Sequence, residues 1–358
     1  MIRKIIIFAG GTGGHILPAL VVIKKLQKRN NICLICDYKG KEYIDNNFKC
    51  KIIVLSFKPF IKKTVKLLCF VFSFCYDFFR IFFVFFVNNP SILVSFGGSG
   101  TTLTYIMAII FKVPIYLHEQ NAFLGRSNRI FLWFSTKIML SFPKTLGINK
   151  KWKNKILITS LPIRKFNVIV YKKENFKIFV MGGSQGASIF TNVIPGTIAS
   201  LFKDIQSKIE IVQQTRADLL VLTDECYKKC FCQYKISNFF YNPFKTIYNS
   251  DLIISRAGAS STIEVYNSDK LCILVPFYKS RNNHQELNAQ YIAQKSRIIL
   301  CREEKFIKSW LSKKINILLN YKNNIVDPAP VDNVFFTQRS SEIILNLISA
   351  EASKFRYK

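Results

Sequence analysis

Short apolar runs alternate with longer amphipathic stretches over the first 140 residues of the chain. The apolar runs have the length of strands and lie at residues 4–8, 32–36, 51–55, 92–95, 114–117 and 137–140. After the first run, apolar residues such as Leu17, Leu20 and Val21 have the spacing of one buried helix face. Strands that alternate with helices predict a parallel sheet with helices on both faces.

The same alternation begins again after a connection that contains Pro162, Ile163 and Arg164. Further strands are predicted at residues 176–181, 210–213, 252–255, 271–275 and 297–300. The pattern therefore predicts two α/β domains, which we place at residues 1–160 and 161–336. A last helix within residues 337–358 is expected to pack back across the junction between them.

A Phe-rich run at residues 65–87 is longer than one buried helix face requires. Asp77 and Arg80 lie near its middle, and each would cost about 2.5–3.5 kcal/mol at the centre of a bilayer. We therefore expect a helix with one face on the sheet, whose excess apolar surface dips into a membrane surface. An ordinary core helix is the second interpretation, and a membrane span is the third. The neighbouring cations are Lys62, Lys63 and Lys66.

The net charge of the chain indicates which class of anionic partner to expect. The 358 residues include 52 Lys and Arg against 21 Asp and Glu, which gives a formal net charge of +31. The excess is mostly Lys scattered in ones and twos, with no RNP-like, zinc-finger or basic-helix motif. We therefore expect an anionic membrane surface, and not nucleic acid, as a partner.

The ten cysteines predict neither disulfides nor a metal site. The apolar run before the first glycines is about five residues long, too short for a signal peptide, so we expect reduced cytosolic thiols. Cys33 and Cys36 share one predicted strand, where an odd spacing directs the two side chains to opposite faces. The remaining group, Cys226, Cys230 and Cys232, lacks a fourth ligand.

Two glycine turns follow predicted strands and open predicted helices. The first, residues 10–14, has the strand–turn–helix order that binds phosphate, but Ile16 stands where a dinucleotide fingerprint needs Gly or Ala. Asp37 lies where an acid could hold a ribose, so a dehydrogenase stays an alternative. The second turn contains Ser184, and the segment from Arg256 to Glu264 offers serines as helix N-caps beside a diphosphate site.

Histidines and amides are expected at the same edge of the predicted sheets. The three histidines of the chain are His15, His118 and His284, and each is predicted in an edge loop, which favours a shared cleft. Asn282, Asn283 and Gln285 crowd the start of a predicted helix. Because an amide both donates and accepts hydrogen bonds, this group suits a sugar.

Five blocks in this order resemble the MurG family of N-acetylglucosaminyltransferases: residues 10–20, 118–121, 182–187, 258–264 and 284–289. The resemblance implies the GT-B fold, with two Rossmann-like domains facing each other across a cleft. It implies UDP-N-acetylglucosamine on the C-terminal domain and an undecaprenyl-linked lipid acceptor on the N-terminal domain. It further implies a peripheral enzyme on the cytoplasmic face of the bacterial inner membrane that needs no cofactor or metal.

The resemblance also implies roles for single residues in an inverting transfer. His15 is expected to be the base that deprotonates the muramoyl 4-hydroxyl, with Glu119 as the second choice. The implied binding residues are Thr12, Gly13, Gly14, Asn121, Arg164, Ser184, Phe240, Ala259, Ser260, Ser261, Thr262, Ile263, Glu264, His284 and Gln285. Glu264 is expected at the ribose, and the backbone of Phe240 is expected at the uracil.

Departures from the family pattern leave alternatives open. Ser99 stands where the family has Tyr, Ser260 and Ser261 replace Leu and Thr, and Asn282 replaces a common Asp. The alternatives are a transferase that acts on another glycolipid, a UDP-sugar epimerase of the same fold, and an inactive membrane-bound protein that binds a UDP-sugar.

Overall fold

The chain forms two compact units in a computed structural model: Met1–Arg164 with Phe335–Lys358, and Lys165–Val334. The structure describes residues 3–56, 64–98, 100–163, 175–183, 187–240, 243–294 and 297–322, together with residues 342, 344, 346 and 347. Arg164, Ser184, Ser99, Lys62 and Lys63 lie outside the described residues, as does most of the last predicted helix.

The first unit contains a seven-stranded parallel sheet in the order β3-β2-β1-β4-β5-β6-β7. Its strands are β1 (Arg3–Phe8), β2 (Asn30–Asp37), β3 (Lys51–Leu55), β4 (Ile92–Ser95), β5 (Ile115–Glu119), β6 (Lys137–Leu140) and β7 (Ile156–Ile158). Its helices are α1 (Gly13–Leu26), α2 (Tyr38–Lys41), α3 (Thr64–Asn88), α4 (Thr101–Ile110) and α5 (Arg126–Phe131), with a 3₁₀-helix at Lys150–Lys155.

Two apolar clusters cover the two faces of this sheet, as its unbroken apolar strands require. One contains Cys33 with residues of α3, α4 and α5, and the other contains Cys36 with residues of α1. The predicted opposite orientation of Cys33 and Cys36 is therefore confirmed. Ile344, one of the described residues of the C-terminal tail, is fully buried in the second cluster.

The buried face of α3 bonds to the end of β3. Asp77 is fully buried, and its carboxylate accepts a hydrogen bond from the backbone N–H of Ser56 at 2.7 Å. Arg80 donates to the carbonyl oxygen of Val54 at 2.8 Å. Both charged side chains therefore bond to the backbone at the end of β3. The prediction of a helix with one face on the sheet is confirmed.

The opposite face of α3 exposes a stripe of aromatic side chains. Phe72, Phe79, Phe83 and Phe86 are between 60% and 74% exposed, at spacings of seven, four and three residues. Among the described residues, Val71–Asn88 is the one segment long and apolar enough to cross a membrane, and 17% of it is buried.

The second unit contains a six-stranded parallel sheet in the order β10-β9-β8-β11-β12-β13. Its strands are β8 (Phe176–Met181), β9 (Ile209–Gln214), β10 (Gln233–Ser237), β11 (Leu252–Ser255), β12 (Leu271–Leu274) and β13 (Ile298–Leu300). Its helices are α6 (Ser188–Ala199), α7 (Lys203–Gln206), α8 (Leu220–Tyr227), α9 (Pro243–Tyr248), α10 (Ala259–Ser268), α11 (His284–Ile292) and α12 (Lys308–Lys322).

Both sheets reverse their strand order next to a glycine turn. The first sheet does so between β1 and β4, and the second does so between β8 and β11. Ligands of open parallel sheets bind outside the carboxyl ends of the strands at such a reversal. The two predicted glycine turns therefore stand where each sheet forms a binding crevice.

The predicted strands all form, and two short edge strands were not predicted, β7 and β10. The prediction that His118 lies in an edge loop is wrong, because β5 continues to Glu119 and buries His118 completely. The prediction of serine N-caps for α10 is also wrong, since Gly258 is the N-cap and Ser260 and Ser261 lie within the first turn.

Candidate active site

The loop after β1 is held against the loop after β4. The backbone N–H of Gly10 donates to the carbonyl oxygen of Gly97 at 3.0 Å. At Gly98 the φ angle is +115°, and a Cβ there would lie 2.2 Å from the carbonyl oxygen of Gly10. Only glycine permits this approach. The two loops therefore form one continuous surface, the glycine floor, at the carboxyl ends of β1 and β4.

The carboxylate of Asp37 holds the first glycine turn in place. Its buried Oδ1 accepts hydrogen bonds from the backbone N–H groups of Gly11 and Gly40, both at 2.8 Å. The first bond holds Gly11 at a φ angle of +85°, and the second caps α2. The expectation that Asp37 could hold a cofactor ribose is therefore wrong, because this carboxylate supports the turn.

His15 is half-buried in the first turn of α1, close to the glycine floor. Its Nδ1 lies 2.7 Å from the carbonyl oxygen of Phe96 and 3.0 Å from Oε1 of Gln120. Thr12 is the helix N-cap, with Gly13 and Gly14 between it and His15. The four residues that the sequence predicted here are thus consecutive on one helix start, which carries no acidic side chain in its first turn.

His118 is a structural residue. Its Nε2 lies 3.3 Å from the carbonyl oxygen of Ser160, and its ring stacks on Phe96 at 4.9 Å between centroids. Burial lowers the pKa of His118 to about 4, so the ring is neutral near pH 7. This histidine supports the strand that carries the site and presents no proton acceptor to a ligand.

Glu119 organises the loop that follows β5. One carboxylate oxygen accepts from the backbone and side-chain amides of Asn121 at 3.1 and 3.4 Å. The other accepts from the backbone of Gly125 at 2.8 Å and from the side chain of Asn128 at 3.0 Å. Four N–H groups occupy the lone-pair positions of a carboxylate. Glu119 therefore holds Asn121, Gly125 and Asn128 around its carboxylate.

A buried hydroxyl network joins this loop to the glycine floor. The hydroxyl of Tyr105 lies 2.9 Å from Oγ of Ser95 and 3.2 Å from Oδ1 of Asn128. Ser95 in turn accepts from the backbone N–H of Gly97 at 3.3 Å. Burial raises the pKa of Tyr105, which keeps its hydroxyl protonated as a donor.

In the second unit, α10 begins without a side-chain cap among the described residues. Gly258 is its N-cap, no side chain caps it, and its first turn has no acidic residue. Oγ of Ser260 and Oγ1 of Thr262 are buried without a hydrogen-bond partner among the described residues. A helix start of this kind favours an anion such as a diphosphate. Ala259 and Ile263 are buried, whereas Ser261 and Glu264 are partly exposed.

The start of α11 lies beside this turn. Asn288 is fully buried and donates to the carbonyl oxygen of Ala257 at 3.0 Å. Gln285 accepts from the backbone N–H of Phe277 at 3.0 Å, and His284 is half-buried at the helix start. The predicted sugar-binding pair, His284 and Gln285, is thus tied to the same crevice as α10.

Arg256 clamps the base of this crevice. Its guanidinium makes a bidentate bond to Glu303 at 2.8 and 3.0 Å and donates to the carbonyl oxygen of Val275 at 3.0 Å. The rings of Phe190 and Phe277 each lie 5.3 Å from its central carbon. This arginine joins the ends of β11 and β12, and its role was not predicted.

Phe240 packs against the same sheet, with its ring 5.4 Å from that of Phe179 in β8. Phe240 follows β10 in the chain and lies next to β8, the strand that precedes the second glycine turn. The remaining predicted site residues, Arg164 and Ser184, lie outside the described residues.

Comparison with known proteins assigns the family. The Glycosyltransferase family 28 N-terminal domain matches residues 5–140, and the C-terminal domain of that family matches residues 177–342. The crystal structure of Acinetobacter baumannii MurG matches with a TM-score of 0.69 at 20% identity, over 97% of this chain and 99% of that one. The UDP-N-acetylglucosamine--N-acetylmuramyl-(pentapeptide) pyrophosphoryl-undecaprenol N-acetylglucosamine transferase of Rickettsia bellii is 32% identical over 329 residues, 89% of this chain and 91% of that protein.

The chain belongs to the MurG family. Its two Rossmann-like units have the GT-B fold, as the resemblance implied, and the chain is a glycosyltransferase. The fold alone would not separate MurG proteins from epimerases. The UDP-N-acetylglucosamine 2-epimerase of Neisseria meningitidis has a TM-score of 0.65 at 13% identity, over 97% of this chain and 100% of that one. The sequence relationship to MurG proteins makes that distinction.

Proposed function

We propose that the chain transfers N-acetylglucosamine from UDP-N-acetylglucosamine to the muramoyl 4-hydroxyl of undecaprenyl-diphospho-muramoylpentapeptide. The observation that carries this proposal is the 32% identity to the Rickettsia bellii transferase over 91% of its length. The uncapped start of α10 supports it, because a departing diphosphate needs such a group of N–H donors.

In this proposal the second unit holds the sugar donor. The diphosphate lies at the start of α10, where Ala259, Ser260, Ser261, Thr262 and Ile263 offer backbone N–H groups or hydroxyls. Glu264, one turn further along, accepts from the ribose. His284 and Gln285 meet the sugar, and Phe240 lies at the uracil. Ser184 and Arg164 complete the donor contacts by the family resemblance alone.

The first unit supplies the base and the acceptor site. A ring nitrogen of His15 takes the proton of the 4-hydroxyl while that oxygen attacks the anomeric carbon. The bond from this carbon to the UDP oxygen breaks, and UDP leaves with the electron pair. Thr12, Gly13 and Gly14 surround the acceptor diphosphate, and Asn121 meets the sugar. Glu119 is assigned to position Asn121, because its four N–H contacts suit that role.

Release of UDP tests the proposed reaction. We expect purified protein to release UDP when UDP-N-acetylglucosamine is mixed with a short-chain lipid analogue of the acceptor. In His15→Ala we expect turnover to fall by about 10²–10⁴, with the affinity for UDP-N-acetylglucosamine nearly unchanged. Binding of the sugar donor without any release of UDP would contradict the transferase, and unchanged turnover in His15→Ala would reject His15 as the base.

We also propose that the first unit docks on the cytoplasmic face of the bacterial inner membrane. The exposed stripe of α3 supports this, since four Phe side chains on one helix face suit the interface of a bilayer. Trp133 and Phe134 are exposed as well, and Nζ of Lys151 lies 4.1 Å from the ring centroid of Trp133. Aromatic rings beside lysines are typical of surfaces that meet anionic headgroups.

Flotation with vesicles tests the membrane surface. We expect Phe79→Ser with Phe83→Ser to lower the fraction of protein that floats with anionic vesicles. Phe202→Ser is the control, because Phe202 is a Phe in the second unit that is even more exposed (79%) than Phe79 and Phe83. Equal flotation of both variants and the wild type would refute the proposed surface.

A further inference from the structure

Gln120 lies directly behind His15. It is 2% exposed, and it makes two contacts with its side chain amide. Its Oε1 lies 3.0 Å from Nδ1 of His15, and its Nε2 donates to the carbonyl oxygen of Phe96 at 2.6 Å. That carbonyl oxygen also lies 2.7 Å from Nδ1 of His15. The three groups thus form a closed triangle beneath the imidazole.

The triangle has one consistent arrangement of protons. The carbonyl oxygen of Phe96 is an acceptor only, so the amide of Gln120 must direct its NH₂ group towards it. This orientation leaves Oε1, a second acceptor, facing Nδ1 of His15. Because two acceptors face Nδ1, this nitrogen must carry the proton of the neutral ring. The lone pair of the ring is then on Nε2, for which the described residues provide no hydrogen-bond partner.

We propose that Gln120 is the positioning residue of the catalytic base: with the Phe96 carbonyl it holds His15 in the Nδ1–H tautomer, so that Nε2 accepts the hydroxyl proton. The inference rests on the proposed function, in which His15 is the base. When Nε2 takes the proton, the ring becomes an imidazolium, and the Nδ1–H bonds to the two acceptors strengthen. A neutral amide stabilises this charge less than a carboxylate would.

The tautomer is directly measurable by NMR of ¹⁵N-histidine-labelled protein. The chain has three histidines, so three rings contribute signals. His118 serves as the internal reference of the opposite tautomer, since its Nε2 must donate to the carbonyl oxygen of Ser160. We expect the Nδ1–H pattern for His15 and its loss or mixing in Gln120→Leu. The Nε2–H pattern for His15 in the wild type would overturn the inference.

Kinetics test whether this orientation matters for transfer. In Gln120→Leu we expect kcat to fall by about tenfold or more, with KM for UDP-N-acetylglucosamine within about twofold. In Gln120→Glu a carboxylate faces Nδ1 and stabilises the protonated ring. Since the base must be deprotonated to act, we expect the acidic limb of the pH–rate profile to move up by about one pH unit.

Gln206 provides a matched control in the second unit. It is also buried, donates to the carbonyl oxygen of Leu201 at 2.7 Å and accepts from the backbone N–H of Phe231 at 2.8 Å. We expect Gln206→Leu and Gln206→Glu to leave the pH–rate profile unchanged. An equal response of the Gln120 and Gln206 variants would reduce Gln120 to a structural residue and overturn the inference. Gln120→Met, which keeps the volume, replaces Gln120→Leu if that variant does not fold.

The proposed function and the role of Gln120 are contradicted by different results. The tautomer is read without substrate, so a chain that shows the Nδ1–H pattern and releases no UDP contradicts the proposed function. A chain that releases UDP while Gln120→Leu keeps the wild-type tautomer and kcat contradicts only the role of Gln120.

Discussion

At the residue scale, three buried polar side chains hold the candidate site of the first unit in place. Asp37 holds the backbone of Gly11, Gln120 holds the imidazole of His15, and Glu119 holds the loop that carries Asn121. Each binds groups that would otherwise be unsatisfied in a partly buried loop. The site therefore depends on polar residues that themselves meet no substrate in the proposed reaction.

Stability at acidic pH is a prediction at this scale. The pKa of His118 is lowered to about 4 by burial, whereas an unfolded histidine has a pKa of about 6.5. As pH falls from about 6.5 to about 4, His118 becomes protonated in the unfolded chain and stays neutral in the folded chain. We expect this difference to cost the folded state about 3 kcal/mol over that range.

The free energy of unfolding as a function of pH measures this effect. His118→Gln, which keeps a donor for Ser160, should lose less stability between about pH 6.5 and about pH 4 than the wild type. Identical slopes in the wild type and in His118→Gln would contradict the role assigned to His118.

The sequence predicted His15 and its helix start because strand, glycine turn and helix are adjacent along the chain. It did not predict the partners of His15, since Phe96 and Gln120 are 81 and 105 positions away. The position of Asp37 after a strand predicts a ribose contact, because the sequence does not reveal which backbone N–H groups this carboxylate meets. Such long-range contacts depend on how the strands pair.

Prediction at the scale of elements succeeded where burial is complete. Central strands such as β4 and β11 read as unbroken apolar runs because helices cover both of their faces. The two strands that were not predicted are edge strands: β7 has three residues, and β10 alternates exposed polar positions. The end of β5 was placed too early, because His118 and Glu119 are polar residues whose buried partners come from other segments.

The clamp between β11, β12 and the segment around Glu303 gives a prediction at this scale. Arg256 and Glu303 are mostly buried, with side chains 8% and 16% exposed. In Glu303→Ala the guanidinium would stay buried without its carboxylate, so we expect the free energy of unfolding to fall by about 3 kcal/mol. We also expect KM for UDP-N-acetylglucosamine to rise, because Arg256 precedes the turn into α10.

The exposed pair between Arg216 and Asp218 is the matched control, since it is also bidentate and lies in the same unit. Its side chains are 48% and 59% exposed, so water and salt screen the interaction. We expect Asp218→Ala to leave the unfolding midpoint and KM close to those of the wild type. A loss of stability in Asp218→Ala equal to that in Glu303→Ala would contradict the clamp.

At the scale of the whole molecule, the two units share one sheet architecture and carry different polar groups. Each unit places a glycine turn where its parallel sheet reverses strand order. At its helix start the first unit carries a histidine held by buried acceptors, and the second carries the buried hydroxyls of Ser260 and Thr262. The first unit also carries the aromatic surface of α3, and the net charge of +31 agrees with the proposed docking of this unit on an anionic membrane.

The central claim, an inverting transfer of N-acetylglucosamine, is tested most directly by the structure of the product. The wild-type chain would be incubated with UDP-N-acetylglucosamine and a short-chain lipid analogue of the acceptor, and the product would be analysed by mass spectrometry and NMR. We predict one added N-acetylhexosamine, attached in the β configuration to the 4-hydroxyl of the muramoyl sugar. A product with the α configuration, or UDP-N-acetylglucosamine converted to its 2-epimer with the acceptor unchanged, would contradict it.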